Sequence, residues 1–332
     1  MDEVLFLFFQ KERGLYMIVN IILLIVGFII LIKGADYFVD GASNVAKNLR
    51  IPKMLIGLTI VAFGTSLPEF SVSVKSIIAN SGDIVLGNVI GSNILNILLI
   101  LGCCAIVHPL TVKNNTVKKE LPITMLITTL FGVLLADNIF DKEMANIFTR
   151  ADGIILLLFF SIFIYYLISI SKDRAVEEEE EKVITMKKAI MLTIVGIAGV
   201  IIGSHLVVES AISLARLFQV SERLIALTII AFGTSLPELV TSVTATRKGE
   251  YDIAIGNVVG SNIFNIGIVI GIPVALFGGI GLITFSYIDV IVMIISSIIL
   301  FMFSFNDYKI SYREGVLFLI LFITYYSYVL VS

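Results

Sequence analysis

AFGTSLPE runs from Ala62 to Glu69, and the same eight residues recur from Ala231 to Glu238. Both copies lie inside apolar runs long enough to cross a bilayer. That is an expensive place for a glutamate, a proline and two hydroxyls. Proline removes a helix hydrogen bond, and a charge at the bilayer centre costs at least ~2.5 kcal/mol. A chain that accepts these costs twice must use the residues.

The octapeptide is the middle of a longer repeat. Shifted by 169 positions, Gly34–Ile97 falls on Gly203–Ile266 without a gap, and 30 of the 64 positions are identical. The 332-residue chain is 58% hydrophobic and 15% charged, with a mean hydropathy of +1.03. Soluble domains average about 25% charged residues. The apolar excess comes in blocks of about 20 residues parted by short polar patches, the pattern of membrane-spanning helices. Ten spans follow: 17–39, 52–78, 84–107, 119–136, 151–171, 188–211, 222–246, 252–278, 284–304 and 313–331.

Five spans separate equivalent points of the repeat. Five is odd, so the second copy must sit upside down. The expected fold is an all-α integral membrane protein, with ten transmembrane helices forming two inverted five-helix repeats. Its parts are a first repeat over 17–171, an acidic linker over 172–187 and a second repeat over 188–332. Residues 1–16 are an N-terminal extension with too few apolar residues to span and no signal-peptide cleavage site. Inverted repeats are a transporter architecture, with the substrate site near midplane where the halves meet.

Lysine and arginine orient the chain. They gather in the loops after odd-numbered spans, as at Lys47, Arg50 and Lys53 or Lys172, Arg174, Lys182, Lys187 and Lys188, fifteen in all against six on the other side. The positive-inside rule then places those loops and the linker in the cytoplasm of a multi-pass cell-membrane protein, with both termini outside. The run Glu177–Glu181 in the linker reads as a solvated charge block rather than a calcium sensor. A net charge of −3 suggests no nucleic-acid partner. Adjacent Cys103 and Cys104 read as structural thiols.

Within span 2, Pro68 deprives the Gly64 carbonyl of its helical partner, and Pro237 does the same to Gly233. Freed carbonyls that line a cavity can serve a cation. Thr65 and Glu69 are four apart and share a face, as do Thr234 and Glu238. The second repeated block is GNVIGSNILN at Gly87–Asn96 and GNVVGSNIFN at Gly256–Asn265. Helical spacing aligns Asn88, Ser92 and Asn96 in one polar stripe, and Asn257, Ser261 and Asn265 in another. Gly87 with Gly91, and Gly256 with Gly260, have the spacing of close helix contacts.

These donors are carboxylate, hydroxyl, amide and carbonyl oxygens, without histidine or cysteine. They suit calcium, sodium or magnesium, and ligands spread over four helices favour calcium's flexible shell. Other polar residues have plainer readings. Lys33 and Asp36 form a local pair, while Asp40, Glu209 and Lys75 are charges at the membrane edge. His205 faces a neighbouring helix or the interface.

With these paired motifs the chain resembles the sodium/calcium exchanger family of the calcium:cation antiporter superfamily. The likeness covers both repeats and nearly all of the chain from Met17. It implies an ion core of spans 2, 3, 7 and 8, across which spans 1 and 6 slide as a long pair. It also implies ion ligands at the Ala62 and Ala231 carbonyls and at Thr65, Ser66, Glu69, Ser92 and Asn96, then Thr234, Ser235, Glu238 and Ser261. Asn265 completes the set where several archaeal and potassium-dependent members carry aspartate. The loss of that carboxylate argues against potassium co-transport.

The expected function is exchange of sodium for calcium, with both ions as transported substrates, no cofactor, no enzymatic activity and a monomer in the lipid bilayer. A calcium/proton antiporter on the same scaffold is the alternative, although the hydroxyls at Thr65, Ser66, Thr234 and Ser235 favour sodium. A cation channel would not need an inverted repeat. An intramembrane hydrolase would need a nucleophile and base that neither the His108–Pro109 nor the His205 context offers.

Overall fold

Inside a bilayer the backbone has only itself to hydrogen-bond to, so the apolar runs become helices. The computed structural model describes residues 2–79, 81–136, 147–172, 183–220, 228–229, 231–281 and 287–331, with the side chains of 2–14 and of Ala231 outside that description. The run Glu177–Glu181 and the start of span 7 lie outside the described residues.

The chain begins with α1 (Asp2–Leu49), unbroken through the expected boundary at Met17, then α2 (Lys53–Thr65) and α3 (Leu67–Ile78). It continues with α4 (Gly82–Val107), α5 (Leu121–Leu134), α6 (Arg150–Ser171) and α7 (Met186–Leu217). The second half holds α8 (Ala231–Thr234), α9 (Leu236–Arg247), α10 (Tyr251–Phe277), α11 (Tyr287–Asp307) and α12 (Tyr312–Val331). Among the described residues seven helices are long and apolar enough to cross a membrane, or eight if the bent pair α2–α3 is one span. Span 4 takes the form of α5 extended backwards by a π-helical turn, Thr116–Glu120.

Burial sorts these helices. Over their most apolar stretches α4 and α10 are 78% and 83% buried, against 17% for α1 and α12. The two helices carrying the GNxxGSN blocks are therefore central. Leu58, Ile94, Ile97, Val258, Ile263 and Ile266 form part of the apolar core around them. On α1, by contrast, Ile18, Ile22, Ile25 and Ile29 stay exposed, as a lipid-facing helix requires.

The repeat-related helices α1 and α7 pack along a seam of glycines. A Cβ at Gly203 would meet Leu31, one at Gly34 would meet Gly199 and Val200, and one at Gly196 would meet Phe38. Further along, Gly41 faces Thr193. Numbers rise on one helix as they fall on the other, so the pair is antiparallel. This is the relation inversion demands of equivalent spans.

Two short clips tie the loops. β1 (Leu110–Thr111) pairs antiparallel with β4 (Lys309–Ile310), and β2 (Ile147–Phe148) with β3 (Ile280–Gly281). An offset of 169 carries Thr111 of β1 onto Ile280 of β3. The outer helices are pinned by half-buried polar contacts, among them the Tyr166 hydroxyl donating to Glu120. Cys103 and Cys104 are free thiols.

Candidate ion site

Both octapeptides break their helices in the same way. α2 ends at Thr65, Ser66 adopts φ −83° and ψ 5°, and α3 leaves at a 46° bend. Ser235 has φ −86° and ψ 4° before α9. Pro68 and Pro237 fall in the first turn of the new helices. There a missing N–H costs nothing, because that turn has no helical acceptor for it. The proline thus starts a helix more than it interrupts one. Glu69 and Glu238 consequently sit in first turns, where the helix dipole favours negative charge.

One of the freed carbonyls has a protein partner. Gly233 O accepts a hydrogen bond from Ser204 Oγ on α7 at 3.2 Å. Ala35 holds the equivalent position on α1 and has no hydroxyl to offer Gly64.

The carboxylates are held crosswise. Glu69 Oε1 accepts from Ser235 Oγ at 3.3 Å. Glu238 Oε1 accepts from Ser66 Oγ at 3.0 Å and from Ser261 Oγ at 3.5 Å. Each half's glutamate is thereby braced by the other half's serine. Thr65 Oγ1 reaches Asn257 Oδ1 at 3.0 Å and lies 3.3 Å from Ala62 O, which also accepts from Ser66 N at 3.0 Å. Deeper in, Asn265 Nδ2 donates to Ser92 Oγ at 2.9 Å and Asn96 Nδ2 to Asn262 Oδ1 at 2.9 Å. Both asparagines lie in π-helical turns, Leu95–Leu101 and Asn265–Ile270, a local distortion common at functional sites.

Ala62, Thr65, Ser66, Glu69, Ser92, Asn96, Ser235, Glu238, Ser261 and Asn265 are all buried. Thr234 is half-buried at the end of α8, and the Ala231 side chain falls outside the description. Within the expected ligand set, four buried oxygens have no hydrogen-bond partner among the described residues: Glu69 Oε2, Glu238 Oε2, Asn96 Oδ1 and Asn265 Oδ1. They form two repeat-related pairs. Buried polar atoms are nearly always satisfied, so orphaned oxygens in equivalent places ask for a positive partner. Among the described residues no cluster of three or more His, Cys, Asp or Glu could hold a metal. The donors are two carboxylates with amides and hydroxyls, which match a hard cation.

The polar stripes divide. Asn88 Nδ2 donates to Glu69 O at 3.0 Å and to Ser73 Oγ at 3.1 Å, while Asn257 Nδ2 reaches Glu238 O at 3.5 Å and Ser242 Oγ at 3.0 Å. These two asparagines bracket the glutamate-bearing turns. Ser73, Ser242, Asn93 and Asn262 adjoin the candidate site without belonging to the expected ligand set, and their identity at the repeat offset marks them. The glycine expectation holds in the second copy only. Gly256 meets Gly57 and Gly260 meets Ala62 and Leu58, whereas among the described residues nothing lies within 4 Å of a Cβ at Gly87 or Gly91. Gly87 is exposed, while Gly256 is buried.

The edge charges are also more engaged than expected. Asp36 lies 3.9 Å from Lys33, but Lys248 reaches both Asp36 at 3.4 Å and Asp40 at 2.8 Å. Glu209, His205 and Lys75 are exposed.

A sequence profile described as "Sodium/calcium exchanger protein" matches residues 19–169 and 188–331, nearly all of both halves. The chain belongs to the sodium/calcium exchanger family. The sodium/calcium exchanger MaX1 of Methanosarcina acetivorans is 32% identical over 344 residues, covering 92% of this chain and 97% of the relative. Inner membrane protein YrbG of Escherichia coli is 38% identical over 275 residues, 79% of this chain and 82% of its own. A solved structure of the sodium-calcium exchanger NCX_Mj, soaked with 10 mM Na+ and no Ca2+, superposes with a TM-score of 0.80 at 33% identity, covering 93% of this chain and 98% of that one. The family is one of membrane transporters, and this exchanger-family chain is a multi-pass membrane protein.

Proposed function

We propose that this chain is a secondary antiporter that exchanges sodium for calcium by alternating access. The observation that carries the reading is the crosswise pair Glu69 and Glu238, each braced by the opposite repeat's serine and each keeping one buried oxygen without a partner. Two carboxylates balance one calcium ion, or two or more sodium ions with help from hydroxyl and amide oxygens. One site neutralised by either cargo gives antiport its physical basis. When both ions are absent, two desolvated charges face each other without compensation, and that cost resists the conformational switch.

In this reading the protein has ten spans in two inverted five-helix repeats, 17–171 and 188–332, joined by the cytoplasmic linker 172–187 and preceded by the extension 1–16. The antiparallel seam of α1 and α7 supports the inversion. The lysine and arginine distribution supports extracellular termini. Ligands come from Thr65, Ser66, Glu69, Ser92, Asn96 and the Ala62 carbonyl in the first half. Ala231, Thr234, Ser235, Glu238, Ser261 and Asn265 supply the second.

The test is calcium uptake by proteoliposomes under an imposed sodium gradient at equal pH. Uptake that follows the sodium gradient is the expected result. Uptake driven only by a pH gradient would replace sodium with protons as the counter-ion.

A further inference from the structure

The midplane asparagines are identical in the two repeats, yet they are held differently. Asn96 and Asn265 are repeat equivalents, as are Asn93 and Asn262. Asn96 Nδ2 donates to Asn262 Oδ1 at 2.9 Å, leaving Asn96 Oδ1 buried and without a partner among the described residues. The mirror bond would run from Asn265 to Asn93. Asn265 Nδ2 instead donates to Ser92 Oγ at 2.9 Å. Asn93 turns its own amide onto Val89 O at 2.7 Å, with its Oδ1 unpartnered.

An amide can serve a cation only through its oxygen. Its nitrogen bears two hydrogens and repels positive charge. The two ends differ little in shape, so packing alone does not choose between them. A directional partner on one end does. We infer that Asn262 is the positioning residue that makes this choice for Asn96: by accepting the amide N–H, it holds the nitrogen away and keeps the oxygen free for the ion. Asn262 is 1% exposed and contacts Asn93 O through its own Nδ2 at 3.5 Å, so its carbamoyl is anchored within the core rather than in solvent. The inference rests on the exchanger reading, in which Asn96 is a ligand, and adds a residue outside the expected ligand set.

The experiment is a double-mutant cycle in full-length protein, reconstituted in proteoliposomes, with the calcium KM and the maximal rate of sodium-driven exchange measured separately. Asn262→Leu removes the acceptor at similar volume and is expected to raise the calcium KM about tenfold, with the maximal rate changed by less than about twofold. Asn262→Gln retains an amide acceptor oxygen without adding charge and is expected to stay within about threefold of the parent KM. In an Asn96→Ala background, Asn262→Leu should add less than about twofold, because the residue through which it acts is gone. A full tenfold effect that persists without the Asn96 amide would overturn the inference, as would a parent-like KM for Asn262→Leu. Should the leucine variant not fold, Asn262→Ala takes its place in the same cycle. Failure of the parent protein to exchange calcium for sodium would count against the exchanger reading instead, so the two failures are distinguishable.

Discussion

Gly196→Ala tests a close contact between α7 and α1. A Cβ built at Gly196 lies 2.3 Å from Phe38 N, 2.5 Å from Phe38 Cα and 2.7 Å from Phe38 Cβ. Non-bonded carbons rest at about 3.5–4.0 Å, so α1 must retreat by about 1 Å or more. Two of the three atoms are backbone, and no rotamer change relieves them. The retreat cannot stay local, because Gly203 would place its Cβ 2.4 Å from Leu31 N, and Gly41 2.4 Å from Thr193 N, along the same seam. Separating α1 from α7 at one point therefore loosens their packing over several turns. Overpacking of this kind costs about 1–3 kcal/mol, against which alanine returns up to ~1 kcal/mol of helix propensity.

A net loss of about 1–2 kcal/mol should lower the thermal midpoint by a few degrees, roughly 2–6 °C. The assay is thermal unfolding of the purified protein in detergent, alongside Ile194→Ala as a control. Ile194 lies on the exposed side of the same helix, and its truncation should move the midpoint much less. An unchanged or raised midpoint for Gly196→Ala would refute the tight-seam geometry. So would an equal fall in the control.

Three further outcomes are expected. Glu69→Gln and Glu238→Gln should each reduce calcium exchange by at least about a hundredfold while leaving the thermal midpoint near the parent, since each removes one of two site charges; near-normal transport by either variant would dismiss the carboxylate pair. Ser204→Ala withdraws the hydrogen bond to Gly233 O and should destabilise by about 0.5–1.5 kcal/mol in the same unfolding assay, whereas a loss of under ~0.2 kcal/mol would mean that carbonyl finds another donor. Lys248→Ala breaks contacts to Asp36 and Asp40, where all three groups are partly exposed, so stability should fall by less than about 1 kcal/mol; a drop of several kcal/mol would show that the ion pair is shielded from water.

Much of this protein is legible in one dimension. Spans follow from runs of apolar residues, because the cost of placing a chain in lipid is close to a sum over its residues. The expectation of inversion follows from an offset of 169 and an odd number of expected intervening spans. The chemistry of the site follows from its donor types, since oxygen ligands and two carboxylates define a hard-cation shell wherever the helices place them.

Tertiary structure decided what each atom does. Helical spacing puts Asn88 and Asn96 on one face, but only the neighbouring helices make the first a bracket for Glu69 and the second a holder of a free oxygen. The same spacing marks Gly87 and Gly256 alike, and it took the fold to press only Gly256 against Gly57. Periodicity records the side of a helix on which a residue lies. The direction of an amide and the approach of two backbones depend on groups more than a hundred residues away in sequence, and the partner of a carbonyl on a neighbouring helix. AFGTSLPE shows both kinds of knowledge. Its proline and glutamate announce a broken, charged helix, and the serine of the opposite copy, reached only by folding, joins two such breaks into one candidate site.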